Sequence, residues 1–236
     1  EEYASRCSDG AIGYAANVVA LKGDGTVWTW GSQQNRNCRW DQWYGYSGQL
    51  GRGGDAVYPY AGKADVFEKI IKVEAGYRRT VGLKIDGTVW SCGHNGYGEF
   101  GNETTTSTQT AQKAKIEDVV DISTTYHTTT YLKEDGTVWT SGYNAQGQLG
   151  NGTNTNSNIP VQMQYLVEKE VEQEDGSKKT VIEGVAVENV KYIGGGAHTT
   201  YVVTKDNKVY GTGLGTSGEI GDLIYTNKVY LTEIKD

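Results

Sequence analysis

One pattern that occurs four times along the chain constrains its fold more than any other feature. The copies read GDGTVWTWG at 23–31, IDGTVWSCG at 85–93, EDGTVWTSG at 134–142 and KDNKVYGTG at 205–213. Each contains an Asp-Gly or Asp-Asn pair, which predicts a tight hairpin turn with positive φ angles, followed by a strand with alternating side chains. A unit of this size cannot bury both of its faces alone, so we predict that neighbouring copies stack.

Two further elements accompany every copy. A Gly-x-x-Gly marker follows the turn, as GQLG at 48–51, GEFG at 98–101, GQLG at 147–150 and GEIG at 218–221. Its glycines allow the backbone to turn closely, and its single apolar residue is predicted to fill a core position. A strand precedes the turn, in YAANVVAL at 14–21, GYRRTVGL at 76–83, YHTTTYL at 126–132 and AHTTYVV at 197–203. Each copy is therefore predicted to be a small antiparallel unit.

An aromatic residue stands at one fixed position of the repeat. The four occurrences are Trp28, Trp90, Trp139 and Tyr210. In a strand, Trp28 would share one face with Trp30, and Val27 would share the other face with Thr29. Because an aromatic residue at a fixed repeat position is usually a core element, we predict that these rings pack between adjacent copies.

The order of these markers, with a base period near 50 residues, resembles the regulator of chromosome condensation repeat family in its bacterial form. The resemblance covers essentially the whole chain and implies an all-β fold, a β-propeller with four-stranded blades. Family propellers commonly have more blades than four, so the four copies would form a partial or open arc of a larger propeller, or a small closed ring. We predict one domain, residues 1–236, with repeats at about 1–66, 67–116, 117–187 and 188–236.

Two insertions distinguish the copies. From the turn Asp to the first Gly of the marker there are 12 residues in the second, third and fourth copies, but 24 in the first. The extra residues contain NCRWDQWYGYS at 37–47, which the other copies lack and the scaffold does not need. This segment is either a recognition loop or a plug that folds over a channel or a blade edge.

The second insertion is YLVEKEVEQEDGSKKTVIEGVAV at 165–187. Valine alternates with charged residues on both sides of Asp175–Gly176, which predicts a β-hairpin. Such a hairpin is either a solvent-exposed addition without a binding role, or a segment that holds a partner or a neighbouring subunit.

The loops between the repeated strand and the marker are expected to emerge on one side of the arc, because they occupy equivalent positions. Variable loops on a rigid scaffold are common sites of recognition, and Trp, Tyr and Arg are enriched at interface hot spots. The predicted partner-binding residues are Arg39, Trp40, Asp41, Trp43, Tyr44, Tyr46, His94, Asn95, Tyr97, Tyr143, Asn144 and Gln146.

We therefore predict a non-catalytic protein–protein interaction module, with a protein as the main partner. The alternatives are an inhibitor of a secreted enzyme, a glycan-binding surface protein, and self-association through the aromatic loop or the hairpin. The resemblance also raises guanine nucleotide exchange, which the acidic composition and short array disfavour. Asp41 is the only acid in the aromatic loop, whereas glycoside hydrolysis needs a pair of carboxylates.

Histidine recurs at one repeat position. Eight residues before the turn Asp stand Ala16, Arg78, His127 and His198. Two histidines at equivalent positions could form a metal pair or a catalytic set, but repetition of a local structural role explains them better. We predict no cofactor, no metal site and no catalytic residue.

The composition disfavours several further classes of protein. The net charge of −7 and the lack of a basic cluster disfavour nucleic acid as a partner, and no apolar run is long enough to insert into a bilayer. The three cysteines, Cys7, Cys38 and Cys92, lack the spacing of a zinc site, so they are either separate thiols or include a Cys7–Cys38 disulfide. Abundant Thr, Asn, Tyr and Gly suggest a bacterial protein that is secreted or on the cell surface.

Overall fold

The fold is all-β. A computed structural model describes residues 17–32, 34–36, 43–46, 48–53, 57–173, 175 and 177–234. The described residues form 19 strands and no helix, and so no helix that could cross a membrane. The predicted fold class is confirmed.

Four of the sheets follow one another along the chain as blades. The first blade contains β1 (Asn17–Leu21), β2 (Val27–Ser32) and β5 (Val57–Lys63). The second contains β6 (Ile70–Gly76), β7 (Arg79–Lys84), β8 (Val89–Gly93) and β9 (Thr108–Lys113), in that order. The third contains β10 (Val119–Thr124), β11 (Thr128–Lys133), β12 (Val138–Gly142) and β13 (Ser157–Gln162). The fourth contains β16 (Val190–Gly195), β17 (Thr199–Thr204), β18 (Val209–Gly213) and β19 (Lys228–Ile234).

Both insertions form hairpins. In the first blade, β3 (Gln34–Arg36) pairs with β4 (Trp43–Tyr46). Between the third and fourth blades, β14 (Gln164–Glu172) pairs with β15 (Lys178–Ala186), which confirms the predicted hairpin. The β14 strand also joins β19 through the parallel pair Tyr165 and Leu231, so this ribbon extends the sheet of the fourth blade.

The blades stack with their first strands next to one another. The strand β6 contacts β10, and β10 contacts β16, so the first strands of successive blades are neighbours. The second strands of the second and third blades are more buried than the first strands, since five of the six residues in both β7 and β11 are buried. The described sheets form an open arc, not a closed ring.

Alternating side chains of the third strand fill two different interfaces. Val89 belongs to the core between the second and third blades, whereas the next residue, Trp90, packs against the core between the first and second. Val138 and Trp139 divide in the same way between the two interfaces of the third blade. Tyr210 packs between the third and fourth blades, so inter-blade packing of the aromatic residue is confirmed at these three copies.

The marker residues pack as the sequence predicts. The apolar residue at its third position is fully or almost fully buried in every copy: Leu50, Phe100, Leu149 and Ile220. The first glycine lies against the outermost strand of the following blade. A Cβ on Gly98 would lie 2.6 Å from Cβ of Asn158 and closer still to its Cα. Glycine is therefore required there by close approach as well as by a φ of 88°.

The turns differ in one respect from the prediction. Only the residue after the Asp takes a positive φ, for example Gly136 at 83° and Asn207 at 64°. The Asp itself remains outside the positive-φ region, because its carboxylate closes the turn. Oδ1 of Asp135 accepts hydrogen bonds from N (2.9 Å) and Oγ1 (2.6 Å) of Thr137, and Oγ1 of Thr137 accepts one from Trp139 (3.1 Å).

Replacing Asp135 with alanine is expected to lower the free energy of unfolding by about 1 kcal/mol, since the hydrogen bonds of Thr137 are lost. The matched control is Asp175→Ala at the tip of the β14–β15 hairpin, where Asp175 makes the same two bonds to Ser177 (2.9 and 2.6 Å). Because the described residues of that tip are exposed, loss of its hydrogen bonds should leave the unfolding midpoint unchanged. Chemical denaturation measures the stability of both variants. Equal shifts of the unfolding midpoint in Asp135→Ala and Asp175→Ala would contradict the role assigned to the repeated turn.

Candidate functional site

Seven ring-bearing side chains from three blades meet at one end of the arc. We call them the histidine–tyrosine cluster: Tyr77, His94, Tyr97, Tyr126, His127, Tyr143 and His198. The cluster contains all three histidines of the chain. Tyr97 and Tyr126 are the most exposed members, at 37% and 46%.

Strand direction explains why these residues gather. Tyr77 lies in the turn between the first and second strands of its blade, and Tyr126, His127 and His198 lie in the equivalent turns. The other members follow the third strands β8 and β12. In an antiparallel sheet the start of the second strand lies beside the end of the third, as the pairing of Arg79 with Gly93 shows. The cluster is therefore at the end of the blades opposite the Asp-Gly turns.

Ring contacts connect the blades. The Tyr97 ring lies 4.9 Å from both the Tyr143 ring and the His127 ring, in edge-on arrangements. The His94 and His127 rings are 5.4 Å apart, and the Tyr126 and His198 rings are also 5.4 Å apart. These are separations at which aromatic pairs attract beyond the burial of their area. The result is a continuous surface of polar-tipped rings.

Glu99 forms the floor of the cluster. It is the second residue of the marker in the second blade, and none of its surface is exposed. Oε2 accepts a hydrogen bond from the Tyr97 backbone N (2.9 Å), a contact that Gln148 repeats with Gln146 (3.0 Å) in the next blade. The other oxygen is specific to this copy, because Oε1 lies 2.8 Å from Nδ1 of His94 and 3.1 Å from Nδ1 of His127.

The protonation states follow from this geometry. Burial raises the pKa of Glu99, but hydrogen bonds from His127 and His94, together with the positive charge of Arg79, outweigh burial and hold it at about 2. Burial lowers the pKa of His127, which the Glu99 carboxylate only partly offsets. Near neutral pH the site thus contains an ionised carboxylate that accepts Nδ1–H from His127 in its neutral form.

Arg79 supports the cluster from within the protein. Its guanidinium is fully buried and donates to backbone oxygens of Tyr126 (2.7 Å), Thr128 (2.6 Å) and Thr125 (3.2 Å). Those carbonyls belong to the turn of the third blade that contains His127. Arg79 therefore holds that turn beside the second blade.

Three of the residues predicted to bind a partner are in the cluster: His94, Tyr97 and Tyr143. Their contacts confirm that the loops of the second and third blades emerge on one side. Gln146 is partly exposed beside them, and its Oε1 accepts a hydrogen bond from Gln148 (3.0 Å).

The predictions for Asn95 and Asn144 are wrong, because both side chains are completely buried. Nδ2 of Asn95 donates to the backbone oxygen of Thr104 (3.0 Å), and its Oδ1 accepts from Phe100 N (2.8 Å). Asn144 makes the same contacts one blade further on, with Thr153 and Leu149. These amides hold the polar loop after the marker and cannot contact a partner.

The aromatic loop is described only in part. Arg39, Trp40 and Asp41 lie outside the described residues, as do Cys7 and Cys38. Trp43, Tyr44 and Tyr46 belong to β4. Their role in binding stays a prediction. Cys92 is a buried free thiol, and burial raises its pKa to about 12.

Several residues of the site were not predicted as such: Tyr77, Arg79, Glu99, Tyr126, His127 and His198. His127 and His198 are at equivalent repeat positions, as the sequence indicates, but His127 meets His94 and Glu99 instead of His198. The sequence offered a partial signal for Glu99, since the equivalent residues of the first and third copies, Gln49 and Gln148, are uncharged, whereas the fourth copy has Glu219. Glu99 differs from Glu219 in the two histidines beside its carboxylate, and the structure was needed to find them.

Four-stranded blades stacked in an arc, with a face of loops at one end, define the class of this chain: it is a β-propeller protein. Two segments, 70–99 and 135–174, each match a model of the Regulator of chromosome condensation (RCC1) repeat. A search of curated protein sequences finds no significant match.

Solved structures agree on the fold. Human WBSCR16 superposes with a TM-score of 0.70 at 17% identity, over 93% of this chain and 51% of that one. Prp20p from Saccharomyces cerevisiae superposes with a TM-score of 0.66 at 18% identity, over 93% of this chain and 48% of that one. A chain in the complex of Kap60 with yeast RCC1 (Prp20) gives a TM-score of 0.55 at 16% identity, over 93% of this chain and 59% of that one. The chain thus spans about half the length of the first two structures.

Proposed function

We propose that this chain is a non-catalytic protein–protein interaction module that binds its partner through the histidine–tyrosine cluster and the aromatic loop of the first blade. The observation that carries the proposal is the convergence of rings from three blades on one end of the arc, with Tyr97 and Tyr126 exposed. Tyrosine supplies a large contact area with a polar tip and is enriched at interface hot spots.

The rigidity of the face also favours recognition. Glu99 and Arg79 beneath the rings are fully buried and hydrogen-bonded to two blades, so the exposed side chains are held before a partner arrives. A preorganised surface loses less conformational entropy on binding. Among the proteins of similar fold, Prp20p is described by its binding to Gsp1p and histones, and yeast RCC1 by its complex with Kap60. Protein partners are thus compatible with this scaffold.

Site-specific photocrosslinking tests this proposal in the native cell. A photoreactive phenylalanine analogue at Tyr97 or Tyr126 is expected to capture one protein, whereas the same analogue at Tyr60 should not. Tyr60 is the matched control, because it is 64% exposed but lies on the outer strand β5. Equal capture from all three positions, or capture from Tyr60 alone, would place the interface elsewhere.

Alanine variants then measure the contribution of each ring to the affinity for the captured protein. Tyr97→Ala is expected to weaken binding about 30-fold, as for an anchor contributing roughly 2 kcal/mol. Trp40→Ala and Trp43→Ala should weaken it as much without unfolding the protein, whereas Tyr60→Ala should have no effect. Unchanged affinity in both tryptophan variants would remove the aromatic loop from the proposed interface.

The competing functions predict different outcomes. A glycan-binding protein would show changes in tryptophan fluorescence on a glycan panel and no protein adduct. An inhibitor would abolish the activity of the captured enzyme at a stoichiometric ratio, and self-association would give an adduct of twice the chain mass. Location outside a bacterial cell is part of the proposal, and sequencing of the flanking gene region for a signal peptide or anchor tests it.

A further inference from the structure

Three side chains capable of binding a metal ion meet at the boundary between the second and third blades. Nδ1 of His94 and Nδ1 of His127 lie 2.8 and 3.1 Å from the same oxygen of Glu99. One ligand atom from each residue lies within 4.8 Å of those of the other two. Donor atoms bound to one zinc ion at 2.0–2.2 Å in tetrahedral geometry are roughly 3.3 Å apart, so small side-chain movements would suffice.

The geometry points to a binding site for one divalent transition-metal ion of the zinc class, with Nδ1 of His94, Oε1 of Glu99 and Nδ1 of His127 as its ligands. Imidazole and carboxylate together suit zinc and its neighbours, and do not suit calcium or magnesium. Three protein ligands leave a coordination position for water or for a donor atom from a binding partner.

The repeat itself provides independent support for a special site. The three ligand positions correspond to Ser32, Gln49 and Arg78 at the boundary before, and to Tyr143, Gln148 and His198 at the boundary after. Neither of those sets could bind a metal ion in this way. If the three residues served only the repeated scaffold, the neighbouring boundaries would need the same residue types. They do not have them, although the loop geometry recurs.

Access and orientation also fit an ion. The side chains of His94 and His127 are 20% and 19% exposed, whereas Glu99 is completely buried. An ion can therefore approach from the solvent side of the two imidazoles and meet the carboxylate behind them. The second oxygen of Glu99 is held by the Tyr97 backbone N (2.9 Å), which orients the carboxylate as outer-shell hydrogen bonds do at metal sites.

Zinc titration of the untagged, chelator-treated protein tests the inference directly. Isothermal calorimetry with zinc chloride is expected to give one site per chain. His94→Ala, His127→Ala and Glu99→Gln should each weaken binding by more than about 100-fold, since removal of an outer-shell group alone costs 10- to 100-fold. Glu99→Gln suits this test because Gln49 and Gln148 show that the fold accepts glutamine at this position.

His198→Ala is the matched control. His198 belongs to the same cluster but is not among the three ligands, so the variant should bind zinc within about twofold of the parent. Cobalt absorption provides a second reading, because binding through cysteine would produce a thiolate charge-transfer band that this site should lack. Circular dichroism confirms that each variant is folded.

Thermal unfolding adds a readout that links the two blades. Zinc at 100 times its Kd should raise Tm by roughly 5–10 °C in the parent and in His198→Ala, and should leave Tm unchanged in Glu99→Gln. Absence of zinc binding in the parent would overturn the inference, as would equal binding by the ligand variants and the parent. A thiolate band would also overturn it, by placing the metal at cysteine. The outcome does not depend on whether a protein partner is found.

Discussion

Replacing Arg79 with methionine is expected to lower the free energy of unfolding by about 3–5 kcal/mol, a large part of the stability of an ordinary domain. The guanidinium is fully buried and satisfies three backbone oxygens in the turn of the next blade, at 2.6, 2.7 and 3.2 Å. Methionine fills much of the volume but donates no hydrogen bond. The buried carbonyl groups of Thr125 and Thr128 would then lose this donor, and Thr128 O would keep only the hydrogen bond from Thr125 N (3.0 Å).

Loss of the charge adds to this effect. Arg79 is one of the groups that lower the pKa of Glu99, and that carboxylate has no exposed surface. Without the guanidinium, the buried negative charge loses a compensating positive charge. We therefore expect the variant to lose the ordered packing of the histidine–tyrosine cluster before the rest of the blades unfold.

The adjacent residue offers the matched control. Arg78 is half-buried and stacks on the Tyr77 ring at 4.5 Å, so Arg78→Met removes the same chemical group from an accessible place. We expect Arg78→Met to cost about 1 kcal/mol or less. Urea denaturation followed by far-ultraviolet circular dichroism gives both values. If the two variants lose unfolding free energies that agree within about 1 kcal/mol, the bridging role of Arg79 is contradicted.

Replacing Gly98 with alanine is expected to lower the free energy of unfolding by about 3 kcal/mol or more. Part of the cost is the φ of 88°, which an L side chain rarely adopts and which costs roughly 1–2 kcal/mol. The larger part is steric, because the new Cβ would lie 2.6 Å from Cβ of Asn158. Since Asn158 belongs to β13, the clash pushes the outer strand of the third blade away from the second.

Gly53→Ala separates the two costs. Gly53 has a φ of 69°, but among the described residues, its chain neighbours aside, no atom lies within 4 Å of the place its Cβ would occupy. This variant should therefore lose only the conformational part, roughly 1–2 kcal/mol. Denaturation of both proteins in urea gives the difference, which measures the contact between blades. If the two variants are equally stable, the marker glycine serves the turn alone.

Both substitutions act at the boundary between the second and third blades. Arg79 and Gly98 belong to the second blade, and the atoms they contact belong to the third. The same boundary joins Tyr97 to Tyr143 and His94 to His127. The stability of this boundary therefore decides how well the candidate site is preorganised.

Local, repeated features could be predicted from the sequence. The marker plugs Leu50, Phe100 and Leu149 are buried, and Trp90 and Trp139 pack between blades. Each of these predictions depends on periodicity over a few residues, which strand geometry converts directly into facing and burial. Four copies of the same pattern also exclude most accidental interpretations.

Predictions about single polar side chains were less successful, for a physical reason. Asn95 and Asn144 follow the third strands, beside residues that do line the site, yet they turn inward to hold a loop about ten residues further along. Whether an amide points outward or inward depends on the path of that loop. Glu99 likewise looks like an exposed acid in GEFG until its neighbours are in place.

The sequence by itself determined the repeat, the class of fold and the buried apolar marker position of each blade, because these features depend on a pattern of neighbouring residues that recurs along the chain. Only the tertiary structure decided which residues meet across the blades. His127 reaches Glu99 from 28 positions away, and Arg79 reaches Thr128 from 49 positions away. Such contacts depend on the distance and rotation between stacked sheets. These are set by the packing of all the side chains between the sheets, and no local pattern encodes them.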